Sequence, residues 1–210
     1  MLHLEKIPSG VRSAFGRAVL DLSKRLGIHP DWLMAVFYRE SRLNPASVNT
    51  YNAAGLIQIT PTTAQDINAT TAQILKAGYL DQLVYVERYY AMRIKQWGTP
   101  KSVYDLYLLT FYPPAMGKPD GHVLFRAGST PYERNKALDN FLGVPKKGYI
   151  SVRDIKSFVN QAIPEGYRVA TNETPATPWV LVASAVLVAA GLLIGEKTNQ
   201  NTNATYEQNA

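Results

Sequence analysis

The chain has 210 residues, of which 46% are hydrophobic and 18% charged, the balance of an ordinary folded domain and not of a disordered or coiled-coil chain. Its length suits one core with an appendage. It contains no Cys, which excludes disulfide scaffolds, thiolate zinc sites, Fe–S clusters and thiol nucleophiles, and a formal charge of +6 suits a polyanionic partner without choosing among cell wall, membrane surface and nucleic acid.

The N-terminal MLHLEKIPSG has no basic start followed by a long apolar run, so no secretory signal peptide is predicted there. Val11, Phe15, Val19, Leu22 and Leu26 follow helical spacing, and Gly27 supplies a C-cap. A second helix is predicted from Pro30, suited to a first helical turn, through DWLMAVFYRESRL to Asn44-Pro45. Further helices are predicted over PTTAQDI, over the heptad-like series Leu83, Val86, Tyr90, Ile94 and Trp97, over SVYDLYLLTFY and over ISVRDIKSFVNQAI. Strand alternation is scarce, so the expected domain, residues 1–165, is mainly α.

Beyond it the composition changes. Residues 166–177 read as a Pro/Thr linker. Pro178 to Gly195 carries no charge and only Ser184 as a polar residue, close to the roughly 20 residues a helix needs to cross a bilayer. With Trp179 at its edge as an interfacial anchor, this run is predicted to be a single C-terminal transmembrane helix. Residues 196–210 form a polar tail. The chemistry is therefore expected upstream, on a domain whose partners include the lipid bilayer.

In the second helix Trp32, Val36 and Glu40 lie at i, i+4 and i+8, with Leu33 and Phe37 beside them, so an apolar stripe ends in a carboxylate. Such a position raises a carboxyl pKa toward the range of a general acid, while the neighbouring Arg39 and Arg42 oppose the rise. From the helix alone, Glu40 is either a general acid or a surface carboxylate paired with an arginine.

The segments FYRESRLNP and NAAGLIQITPTTAQ together resemble the soluble lytic transglycosylase and goose-type lysozyme family, through Glu40-Ser41, Asn44-Pro45 and the block from Gly55 to Ala64. The resemblance covers about Ser23 to Gly121. It implies a lysozyme-like helical domain that cleaves the β-1,4 bond between N-acetylmuramic acid and N-acetylglucosamine in peptidoglycan, with Glu40 as catalytic acid and base. It further implies Ser41 as a hydrogen-bonding neighbour of that Glu and Gln58 as a wall of the saccharide groove. Ile57 stands where most members carry Met. The family's third motif, Ala-Tyr-Asn-Ala-Gly, has its nearest counterpart in Phe111 to Gly117, where Tyr112 takes the Tyr position and Pro113 replaces the Asn. The FYPPAMGK form looks more like phage-encoded relatives than bacterial housekeeping enzymes.

Most glycosidases use two carboxylates, roughly 5 Å apart or more than roughly 6.5 Å apart according to stereochemical outcome, whereas the resemblance implies one. Asp66, Asp81, Glu87, Asp105 and Asp120 sit in no motif that opposes Glu40. Transglycosylation, in which the muramic acid C6 hydroxyl attacks its own anomeric carbon, is accordingly preferred to hydrolysis by a muramidase of the same fold. His3, His29 and His122 have no ligand spacing, and the loop from Asp139 to Asp154 has Gly143, Pro145 and Lys147 where calcium ligands would stand, so neither a metal nor another cofactor is expected.

Residues 1–177 alone carry +7, which draws the domain to an anionic wall. The combination suggests a bacteriophage lysin on a virion or host inner membrane, acting when the cell is penetrated or when progeny are released, with virion proteins as further partners. A non-catalytic wall-binding membrane protein is the alternative of a different class. No nucleic-acid motif accompanies the basic charge.

Overall fold

The central helix of the domain is the one whose residues are apolar on every side. The computed structural model describes residues 1–139 and 146–167, which fall within one unit spanning Met1–Thr171. Its first long helix, α1 (Ser9–Leu26), buries Phe15, Val19 and Leu22 and stops at Gly27, whose φ of 64° lets Ile28 N–H reach back to Ser23 O. Then α2 (Pro30–Ser41) begins with Pro30 in its first turn and His29 Nδ1 accepting from Asp31 N–H. Trp32 through Phe37 are all buried, and a helix apolar all round has to be enclosed by others.

This helix ends at Ser41, short of the Asn44-Pro45 boundary expected from the sequence. Arg42 and Leu43 both adopt left-handed φ, 55° and 64°, and Leu43 N–H turns back to Phe37 O. The reversal carries Leu43 into the core, where it is 1% exposed, so burial of that side chain outweighs one more helical turn.

After a loop come α3 (Pro61–Asp66), α4 (Thr71–Lys76), α5 (Tyr79–Trp97) and α6 (Val103–Phe111). The periodic series from Leu83 lies on α5, which packs along α1, while α6 lies against α2. A 3-10 turn at Pro113–Ala115 leads to β1 (Val123–Arg126), α7 (Thr130–Asn135), a second 3-10 turn at Lys136–Leu138, β2 (Tyr149–Ser151) and α8 (Val152–Asn160). The stretch predicted as helix from Ile150 thus begins as strand. β2 pairs antiparallel with β1, Ile150 opposite Phe125, and the helix starts only where Ser151 and Asp154 form a reciprocal capping box.

Lys147 reaches Asp154 with its ammonium at 2.6 and 2.8 Å from the two carboxylate oxygens. A cation fixed to the chain therefore occupies one of the positions where the sequence spacing would have called for a calcium ligand. Asp139 is fully buried and accepts from Lys147 N–H, Gly148 N–H and the Tyr132 hydroxyl.

Among the described residues no helix is long and apolar enough to cross a membrane. The run predicted to do so, 178–195, lies outside the described residues, as do the linker beyond Tyr167 and the tail.

Candidate active site

Where α2 ends, the loop from Ser47 to Thr60 folds over it. Isolated bridges pair Val48 with Ala54 and Ala54 with Ile59, and Asn49 Oδ1 accepts from Tyr51 N–H and Ala53 N–H, which fixes the loop tip. At its base Gly55 has a φ of 79°, and a Cβ there would lie 2.6 Å from Gln82 Oε1 and 2.8 Å from Ile74 Cγ2. Glycine is required both for conformation and for space.

Gln82, 1% exposed on α5, holds this base. Its Oε1 accepts from Leu56 N–H at 2.9 Å, and its Nε2 faces the carbonyls of Pro45, Ile74 and Ala77. The carbonyl of the same residue is engaged by Ser41, whose Oγ lies 3.0 Å from both Leu56 O and Phe37 O. Ser41 therefore ties the loop to the end of α2, one residue after Glu40, and lies beneath the cleft without lining it.

That cleft measures about 470 Å³. Glu40 lies in it, with Gln58, Thr60 and Thr63 from the loop and α3, Tyr89 and Arg93 from α5, and Tyr107 and Thr110 from α6; the far bank is Arg134 and Asn135 of α7. Glu40 is the one carboxylate among the described lining residues, which also include two arginines.

The electrostatics of Glu40 follow from its neighbours. Burial pushes its pKa up to about 7, against the hydrogen bond from the Tyr107 hydroxyl and the positive charge of Arg39, both of which favour the carboxylate. Desolvation is the largest of the three influences; the guanidinium of Arg39 lies over Phe158, 3.3 Å from the ring centroid, and is itself pushed down by burial. The residue as a whole is half-buried because it opens into the cleft. Desolvation and then the Glu40 charge raise the Tyr107 hydroxyl well above its usual range, so it stays a donor.

Behind Tyr107 a hydroxyl network stiffens the wall. Tyr90 Oη and Thr110 Oγ1 are 2.8 Å apart, Tyr89 Oη donates to Thr110 O, and the rings of Tyr89 and Tyr90 meet edge to face at 5.1 Å.

Of the four residues singled out from the sequence, Glu40 and Gln58 line the cleft and Ser41 supports it. Gln58, at a φ of 51°, donates through Nε2 to Ser47 O and Gly55 O, which leaves Oε1 to accept from a ligand. Tyr112 lies elsewhere. It caps the C-terminus of α6 and packs edge-on against Phe125 at 5.0 Å. The tyrosine bonded to Glu40 is Tyr107, which the sequence placed only within the predicted helix SVYDLYLLTFY. Arg93, Thr110, Arg134 and Asn135 carried no sequence signal for the site, because they come from three elements remote in the chain.

Residues 18–79 match the transglycosylase SLT domain. The match takes in Glu40, Ser41, the whole loop and Gln58, and stops at the first residue of α5, before Tyr89, Arg93 and Tyr107. No curated protein and no solved structure matches the chain. At the level of that domain, the likeness supports a peptidoglycan-cleaving role like that of lytic transglycosylases.

Proposed function

We propose that this protein is a peptidoglycan lytic transglycosylase in which Glu40 serves as both acid and base. The observation that carries the reading is the placement of Glu40, hydrogen-bonded by Tyr107, in a cleft whose described lining holds no second carboxylate, where burial pushes its pKa up to about 7. A group titrating there is present in both forms at neutral pH, and the reaction needs both in turn.

Protonated Glu40 gives its proton to the glycosidic oxygen as the bond to the muramic acid C1 breaks, and the departing sugar leaves as an alcohol. Tyr107 then donates to the newly formed carboxylate, which takes the proton from the C6 hydroxyl of the same muramic acid. O6 bonds to C1, and Glu40 is protonated again. The product is a 1,6-anhydro ring and no water is consumed. Placing O6 against C1 within one bound sugar removes the need to order a separate nucleophile.

The same proposal puts the enzyme on a membrane through the apolar run at 178–195 and, on the FYPPAMGK form of its third motif, in the service of a bacteriophage.

The test incubates the full chain with purified peptidoglycan beside Glu40→Gln and reads the released fragments by mass spectrometry. Fragments lighter by one water than hydrolysed muropeptides, absent with the variant, are expected. Reducing ends would make the protein a muramidase, and wall binding without any release would make it a binding protein.

A further inference from the structure

The two banks of the cleft touch at one pair of side chains. Tyr51, at the tip of the loop and 55% exposed, has its ring centroid 5.0 Å from the guanidinium carbon of Arg134 on α7. Both residues line the cleft that holds Glu40, and Arg134 is exposed like its partner. The elements that carry them are each held in place. Tyr51 N–H donates to Asn49 Oδ1, and Asn52, at a φ of 57°, sends its N–H back to Asn49 O, so the loop tip is a tight turn. On the other bank, Ser129 caps α7 and Tyr132 bonds to buried Asp139.

A pyranose lying between the ring and the guanidinium would need them about 7–8 Å apart, two van der Waals contacts in series. At 5.0 Å none fits. A glycan strand therefore either stops at this contact or passes beneath it, and in both cases an unbroken strand cannot be laid into the cleft from the side while the contact is made. A strand end can be fed in. An exposed cation–π contact is weak and favours the closed arrangement by about 2- to 5-fold, which leaves the cleft open to strand interiors for about a sixth to a third of the time.

We infer that the Tyr51–Arg134 contact sets where along the strand the enzyme cuts: while closed it admits strand ends, so that short 1,6-anhydro fragments are released, and only when it opens are strands cut internally. This rests on the transglycosylase reading and adds to it the mode of attack. Neither residue is among the groups acting on the Glu40 carboxyl; both work through access to it.

The test gives purified peptidoglycan to the full chain and follows, early in the reaction, the mean length of the remaining strands against the amount of small fragment set free. Cutting from ends frees fragments while the strands keep most of their length; internal cutting shortens the strands first. Wild type is expected to follow the first pattern. Tyr51→Ala and Arg134→Met should each raise the ratio of internal to terminal cuts by about 3- to 6-fold, and the double variant no further, because both remove the same contact. Tyr51→Phe, which keeps the ring, should keep the wild-type ratio. Since the chain has no Cys, Tyr51→Cys and Arg134→Cys together can be joined by a short reducible thiol cross-linker; the joined protein should cut from ends alone and regain internal cutting on reduction. Immediate strand shortening by wild type, unchanged ratios in both single variants, or loss of all cleavage on cross-linking would each overturn the inference, and 1,6-anhydro products in those cases would leave the transglycosylase reading intact. Reducing ends released with the end preference preserved would strike that reading and leave the role of the contact standing. No release by any form would remove both.

Discussion

The hydroxyl of Tyr107, on α6, donates to the carboxyl of Glu40, in the last turn of α2, so the group that favours its ionised form comes from 67 positions further along the chain. Burial acts against that bond and prevails, which holds Glu40 near neutrality. The two helices are packed together by core side chains, and the hydrogen bond follows from that packing.

Tyr107→Phe removes the donor to the carboxylate and should move the Glu40 pKa above its present value of about 7. The first step needs the protonated form, so kcat/KM falls as pH rises through this pKa. The alkaline limb of the profile should therefore shift to higher pH in the variant, with kcat reduced because the carboxylate formed in the second step is less stabilised. An unmoved limb would show that the bond does not set the pKa.

Glu40→Gln should abolish cleavage, by at least about 100-fold, and yet stabilise the fold at alkaline pH. The folded-state pKa, about 7, lies above the ordinary 4.5. The native state thus holds its proton over a range where the unfolded chain has lost it, and stability declines as pH rises from about 4.5 through 7, by about 3 kcal/mol in all. Gln keeps an acceptor for Tyr107 and carries no charge. Its melting temperature should exceed that of wild type at pH 8 and match it near pH 4.5; equal values at both would refute the desolvation.

Gly55→Ala places a Cβ within 2.6 Å of Gln82 Oε1 and within 2.8 Å of Ile74, at a φ of 79°. A loss of about 2–4 kcal/mol is expected from strain and overpacking, read as a lowered denaturation midpoint. Because the loop carries Gln58, residual activity should show a raised KM.

Lys147→Met leaves the Asp154 carboxylate with the Ser151 N–H and hydroxyl alone. The ion pair is partly open to solvent, at 28% and 11% side-chain exposure, so the expected loss is about 1–2 kcal/mol, well below that for a sealed pair. Added calcium should not restore the melting temperature. Rescue by calcium would mean that the loop can accept a metal once its resident cation is gone.

Local pattern was enough for much of this protein. The apolar stripe from Trp32 to Glu40, the Gly27 stop, the periodic series from Leu83 and the Glu40–Ser41 and Gly55–Ala64 segments all act within a few turns of chain, and helical periodicity exposes them. The end of α2 was not legible, because it depends on Leu43 finding a place in the core. Nor was the choice between Tyr112 and Tyr107. Motif order pointed to the residue that closes α6, but the closing residue turns toward Phe125, and a residue inside the helix faces α2. The sequence likewise held the competing influences on Glu40, burial against the arginines, without their balance. That balance depends on where Arg39 points and on how much water the cleft excludes, both set by elements distant in sequence. By itself the chain's pattern determined the helices and the acid at the end of one of them; only tertiary packing decided that acid's partner, its pKa and the cations across the cleft, because electrostatic interactions depend on separation and solvent exposure in space and not on separation along the chain.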